Sequence, residues 1–148
     1  MIEDQASTSL VDLRGFEYDW LACDGSGHVA LFSTAGGGYA PDELRGDTRA
    51  FENAIAAILA APATTTVRFA PRVAAGHTNT WQLVAERGLF AYDSDPEGGP
   101  YRLVAAPDRA APLAELSQQV VEVVRRIFFP SLRFADLQVL GEQALRRD

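Results

Sequence analysis

The chain has 148 residues, 47% hydrophobic and 22% charged, which predicts one folded domain that needs neither a disulfide nor a structural metal. All thirteen basic residues are arginine, so a Schiff-base lysine, a phosphate-loop lysine and a kinase-type lysine are excluded. A formal charge of −7 argues against a nucleic-acid backbone as partner.

The single cysteine, Cys23, has no partner for an internal disulfide, and the opening MIEDQ lacks the basic and apolar regions of a signal peptide. The longest apolar runs, such as AIAAILAAPA, fall short of the ~20 residues that a membrane span requires. A cytoplasmic protein without membrane association is therefore expected.

Residues 1–15 read as a frayed lead-in and 16–148 as a single α+β domain. From Tyr18 to Asp24 apolar and aromatic residues occupy both parities, the pattern of a strand covered on both faces. Asp24-Gly25-Ser26-Gly27 supplies residues that tolerate positive φ, and His28 to Thr34 resumes a strand, so an antiparallel hairpin is predicted. Gly36 to Gly38, Tyr39, Ala40 and Pro41 form a flexible exit. A helix follows, capped by Asp47 or Thr48, with Phe51, Ile55, Ile58 and Leu59 on one face and Pro62 as its stop.

Thr65 to Phe69 is a short β-like run inside an otherwise irregular stretch, 63–77. Thr78 or Thr80 caps a short helix carrying Trp81, Val84 and Ala85, which stops at Gly88. Leu89 to Tyr92 and Tyr101 to Ala105 flank DSDPEGGP as a second hairpin. Pro112 opens a long helix through Leu113, Leu116, Val120, Val124 and Ile127, closed by Pro130. The tail allows a strand around Leu132 to Leu140 or a helix through Glu142 to Arg147. The expected architecture is thus a largely antiparallel sheet of two hairpins, packed by two long helices and one short one.

Four constellations are candidates for chemistry. The glycines at 36–38 lie between a strand and a helix, where phosphates bind, but neither glycine fingerprint is complete and Asp42, Glu43 and Asp47 bring the wrong charge. Asp93, Asp95, Glu97 and Gly98 are spaced like the start of a calcium loop, yet Val104 stands where a bidentate glutamate belongs and Pro96 interrupts the run. Cys23 and His28 flank the first turn as a conceivable thiolate–imidazole pair, against the plainer reading of Cys23 as a small buried hydrophobe. His28 and His77 lack zinc-ligand spacing, and no G-x-S-x-G elbow surrounds Ser26. No cofactor, metal or catalytic residue is assigned. Of the polar-tipped aromatics Tyr18, Trp20, Tyr39, Trp81, Tyr92 and Tyr101, most are expected in the core, with Tyr39 the best candidate for an interface.

The segments DWLACDGSGHVALFSTAGGGYAP, WQLVAERGLFAYDSD and PYRLVAAP together resemble small bacterial proteins that include immunity proteins of polymorphic toxin systems, over residues 16–107. The resemblance carries no catalytic residue and implies a non-enzymatic protein-binding role. Tyr39, Asp42, Glu43, Asp47, Asp93, Asp95 and Glu97 are then the expected partner-binding residues, meeting the basic rim of a toxin. The competing readings are a small-molecule site or minor enzyme in a cleft near the first hairpin, with His28, Cys23 and Tyr39, and a structural homodimer joined through a sheet edge.

Overall fold

Alternation of apolar and polar residues fails in the first two strands because both of their faces are covered. The computed structural model describes residues 18–34, 39–69, 80–95 and 98–145. Strands β1 (Asp19–Asp24) and β2 (Val29–Ser33) pair antiparallel, and Trp20, Leu21, Ala22 and Cys23 are all buried, as are Val29 to Phe32. Gly27 holds the turn with φ +81°, a conformation that costs residues with a Cβ about 1–2 kcal/mol.

After β2 come a short helix α1 (Asp42–Gly46) and the longer α2 (Thr48–Ala60), then β3 (Val67–Phe69) and α3 (Thr80–Ala85). The Asp47 side chain accepts from the Ala50 amide and caps α2, as expected, and Phe51, Ile55 and Ile58 are buried along it. Gly88 ends the turn after α3 with φ +95°; a Cβ there would lie 2.4 Å from the Ala111 methyl. The second hairpin joins β4 (Phe90–Asp95) to β5 (Gly98–Pro107). The remainder comprises α4 (Gln118–Val124), β6 (Phe128–Phe129), β7 (Val139–Leu140) and α5 (Glu142–Leu145).

The α+β class stands, but the sheet is mixed. Its order is β3-β5-β4-β2-β1-β6, with β7 on β5, seven strands in all. Both hairpins form, yet they meet through a parallel β2–β4 pair, and β6 adds to β1 in parallel. The expected arrangement of two hairpins in a largely antiparallel sheet is corrected on this point. Periodicity within each strand carries no information about which strands become neighbours, and the parallel pairs are set by the segments that cross over between them.

The long third helix is also corrected. Pro112 opens only a 3-10 turn at Leu113–Glu115, Leu116 is extended with ψ 156°, and Ser117 caps a new seven-residue helix by accepting from the Val120 amide. The apolar repeat runs across this break because Leu113 and Leu116 are half-buried against the core while Val120, Val123 and Val124 beyond it are buried. Helix α1 and strand β6 were not expected, and the tail uses both of its options in miniature. The β3 and α3 expectations agree with the elements found.

Two layers cover the sheet. On one face Trp20, Phe32, Tyr92 and Tyr101 meet Phe134 of the tail: Trp20 and Phe32 stack at 4.2 Å, Phe32 and Tyr92 at 5.1 Å, and Phe134 lies 5.9 Å from both Phe32 and Tyr92. On the other face α2 and α4 pack over β1, and α3 over β4 and β5. No helix among the described residues is long and apolar enough to cross a membrane.

Candidate functional site

Cross-strand register places the unforeseen polar residues. Asp19 is opposite Ser33, Ser33 is beside Asp93, and Asp93 is opposite Arg102, so one row crosses β1, β2, β4 and β5. Residues in register share a face, so this row looks toward the helices, while the next row, Trp20, Phe32, Tyr92 and Leu103, looks toward the tail. One row is half-buried to exposed and polar; the other is apolar, buried at Trp20, Phe32 and Tyr92 and half-buried at Leu103.

Hydrogen bonds order this shelf. Ser33 Oγ donates to Asp19 Oδ1 at 2.7 Å and accepts from Trp81 Nε1 at 3.2 Å, so α3 is tied to the sheet through an indole. With its proton committed to a carboxylate, Ser33 has the geometry of a strut. The two carboxylates Asp19 and Asp93 are separated by two strand spacings, roughly 9.6 Å, too far for a shared proton. Burial holds the Tyr101 hydroxyl well above the usual phenol range; its bond with Trp20 acts the other way, and the charges of Asp93 and Asp19 add to the rise.

A cleft opens beside this shelf, between the start of β1 and helix α2. Tyr18, Asp19, Thr48, Glu52, Ile55, Ala56 and Leu59 line about 340 Å³. Thr48, Glu52, Ile55 or Ala56, and Leu59 recur at the spacing of one helix stripe, so the wall is polar at its N-terminal end and apolar at the other. Glu52 is exposed, and no ion pair among the described residues reaches it. A second hollow of about 210 Å³ lies between Ala57, Pro62, Leu116 and Val120, with Arg87 at its side. There the guanidinium is already engaged: Nε donates to Ala61 O and Nη1 to Leu83 O, both at 2.8 Å.

The expected partner-binding residues come from the segment before α1, the starts of α1 and α2, and strand β4. Asp42 and Glu43 occupy the first turn of α1, where negative charge complements the helix dipole. Asp47 caps α2 and pairs with Arg126 at 3.3 Å, which gives it a structural role. Asp93 belongs to the shelf, Asp95 pairs with Gly98 through the strand backbone, and Glu97 lies outside the described residues. Tyr39 is half-buried on the aromatic side, and its carbonyl accepts from the Tyr101 hydroxyl at 2.6 Å.

The Cys23–His28 pairing is overturned by register. Cys23 is opposite Val29, whereas the Asp24 amide donates to the His28 carbonyl, so Cys23 faces the helices and His28 shares the opposite face with Asp24. The Cys23 thiol is buried and pushed up, first by desolvation and then by the Asp24 charge, against an opposing effect of Arg125. It is the small hydrophobe of the plainer reading. The His28 ring lies 6.0 Å from Phe90. His77 and the glycines at 36–38 fall outside the described residues. Among the described residues no three His, Cys, Asp or Glu side chains converge as metal ligands.

Asp24 was read only as a turn former. It is 1% exposed, and its carboxylate accepts from the amides of Ser26 and His28 at 2.9 Å and from Phe134 at 2.7 Å. Its D-G-S-G context announces the two turn bonds; nothing in the sequence announces the third, 110 residues away. Asp19, Ser33, Glu52 and Trp81 were equally invisible as a set, because they come from four segments brought together by packing. Comparison with protein-family models, with curated proteins and with solved structures finds no match.

Proposed function

We propose that this chain is a non-enzymatic protein-binding domain of the immunity type, which neutralises a basic bacterial toxin by covering it with an acidic face. The observation that carries this reading is the cleft between β1 and α2, where Asp19 and Glu52 border an apolar wall of Ile55, Ala56 and Leu59. Apolar area flanked by negative charge suits a partner whose surface is basic, since the charge speeds encounter and fixes orientation. The buried, protonated thiol of Cys23 and the committed hydroxyl of Ser33 favour binding over nucleophilic chemistry.

The test is co-expression with a toxin encoded by a neighbouring gene. Growth is restored by the intact protein and restored less well by Glu52→Arg, which reverses charge at an exposed position. Killing that proceeds equally with and without this protein would sink the reading. A second reading, a site for a small organic cation, is favoured by the volume of the same cleft, which falls in the range of ligand pockets. It predicts thermal stabilisation by small amines with no protein partner present.

A further inference from the structure

The second hollow lies where α2 ends and α4 begins. Ile58, Ala111 and Val120, all buried, form its floor, and Ala57, Pro62 and Leu116 continue an apolar wall around about 210 Å³. An apolar cavity of about 150 Å³ takes one benzene, so this space admits an aromatic ring with a short substituent. Size sets the body of a ligand; Arg87 sets its head.

The Arg87 side chain is only 16% exposed and its guanidinium is held in place. Nε donates to Ala61 O and Nη1 to Leu83 O, both at 2.8 Å, and Nη1 lies 3.5 Å from Glu86 Oε1. Among the described residues no acceptor reaches Nη2. In a planar guanidinium one Nη2–H shares the edge of the Nε–H, so it emerges beside the Ala61 carbonyl, at the rim of the hollow that Ala61 also lines. On the α4 side, Ser117 Oγ accepts from the Val120 amide, and its own proton has no acceptor among the described residues. Of the lining residues only Glu115 carries a carboxylate, and Arg109 already holds it through two bonds of 2.6 and 3.2 Å. An open cationic N–H and an open hydroxyl beside an apolar space are the complement of a carboxylate on an apolar body.

We propose that this hollow binds a small monocarboxylate with a ring or a branched apolar body, whose carboxylate accepts from Arg87 Nη2 and the Ser117 hydroxyl while the body rests on Ile58, Pro62 and Val120. The site shares no residue with the cleft between β1 and α2, so the two stand or fall separately.

The test titrates phenylacetate, phenylacetamide and phenethylamine into the ¹⁵N-labelled full chain at low salt, a series that keeps the ring and changes the head from anion to neutral to cation. Phenylacetate should give saturable shifts at the amides of Ala57, Ile58, Ala61, Arg87 and Ser117 to Val120. It should bind about threefold or more tightly than phenylacetamide, because a charged acceptor strengthens the bond from the guanidinium. Ala57→Phe fills the hollow and removes no hydrogen bond, so it should abolish these shifts. Arg87→Lys keeps the charge but loses the fixed fork, and should weaken phenylacetate about fivefold or more.

Absence of saturable binding, equal binding of phenylacetamide or phenethylamine, shifts centred outside the hollow, or undiminished binding in Ala57→Phe or Arg87→Lys would each overturn the proposal. If Arg87→Lys fails to fold, the head-group series and Ala57→Phe decide the matter without it.

Discussion

Removing the Asp24 carboxylate tests the joint between the first hairpin and the C-terminal tail. In Asp24→Ala three amides lose their acceptor. Those of Ser26 and His28 sit at a turn where water can replace the carboxylate, so each costs about 0.5–1 kcal/mol. The Phe134 amide is different: Phe134 is 0% exposed and water cannot reach it, so leaving that donor unpaired costs about 1–3 kcal/mol. The sum is about 2–5 kcal/mol, a large part of the roughly 5–15 kcal/mol that holds a domain folded.

Asp24→Asn sharpens the test. Its single oxygen can keep both turn amides, but the amide nitrogen then faces the Phe134 N–H, donor against donor. Urea unfolding followed by circular dichroism should place Asp24→Asn between the wild type and Asp24→Ala. Hydrogen exchange should show the Phe134 amide losing protection in both variants. A carboxylate buried without a cation carries its own desolvation penalty, and a dominant penalty would make Asp24→Asn more stable than the wild type. That result, or an Asp24→Ala midpoint equivalent to less than about 1 kcal/mol, would refute the reasoning.

Two further predictions concern backbone approach and pH. Gly25→Ala should destabilise more than Gly27→Ala, because a Cβ at Gly25 would lie 2.2 Å from the Pro130 carbonyl oxygen, whereas at Gly27 the space is open and only the positive φ opposes it. About 1–2 kcal/mol is expected at Gly27 and more at Gly25; equal urea midpoints would contradict this. Burial raises the pKa of Tyr92 and Tyr101, with the Asp24 charge adding at Tyr92, so the native state keeps protons that the unfolded chain releases above about pH 10. Stability contributed by these groups is complete below that pH and falls above it, by up to about 1.4 kcal/mol per pH unit for each tyrosine. Cys23, also raised, adds a loss of the same sign from about pH 9. Urea midpoints measured from pH 8 to 12 should decline, and a flat profile would contradict the assignment.

Local chemistry was legible wherever a residue acts on its near neighbours. The Asp47 cap, the Gly27 and Gly88 conformations, the doubly buried parity of Tyr18 to Asp24 and the two hairpins all depend on contacts a few positions apart. The candidate site was barely legible. Of the seven residues expected to bind a partner, Asp47 turned out to serve a helix cap and an ion pair, and Asp93 joined a row whose other members, Asp19, Ser33 and Arg102, carry no local signal.

The amino-acid sequence by itself determined the α+β class, the absence of lysine chemistry and the places where the chain turns, because periodicity, composition and glycine conformation are properties of short stretches. Tertiary structure alone decided that β2 pairs parallel to β4, that Cys23 and His28 face opposite ways, and that Glu52 and Asp19 border one cleft. Those outcomes depend on the register and packing of segments far apart in the chain, and register is chosen by how whole faces of apolar residues fit together.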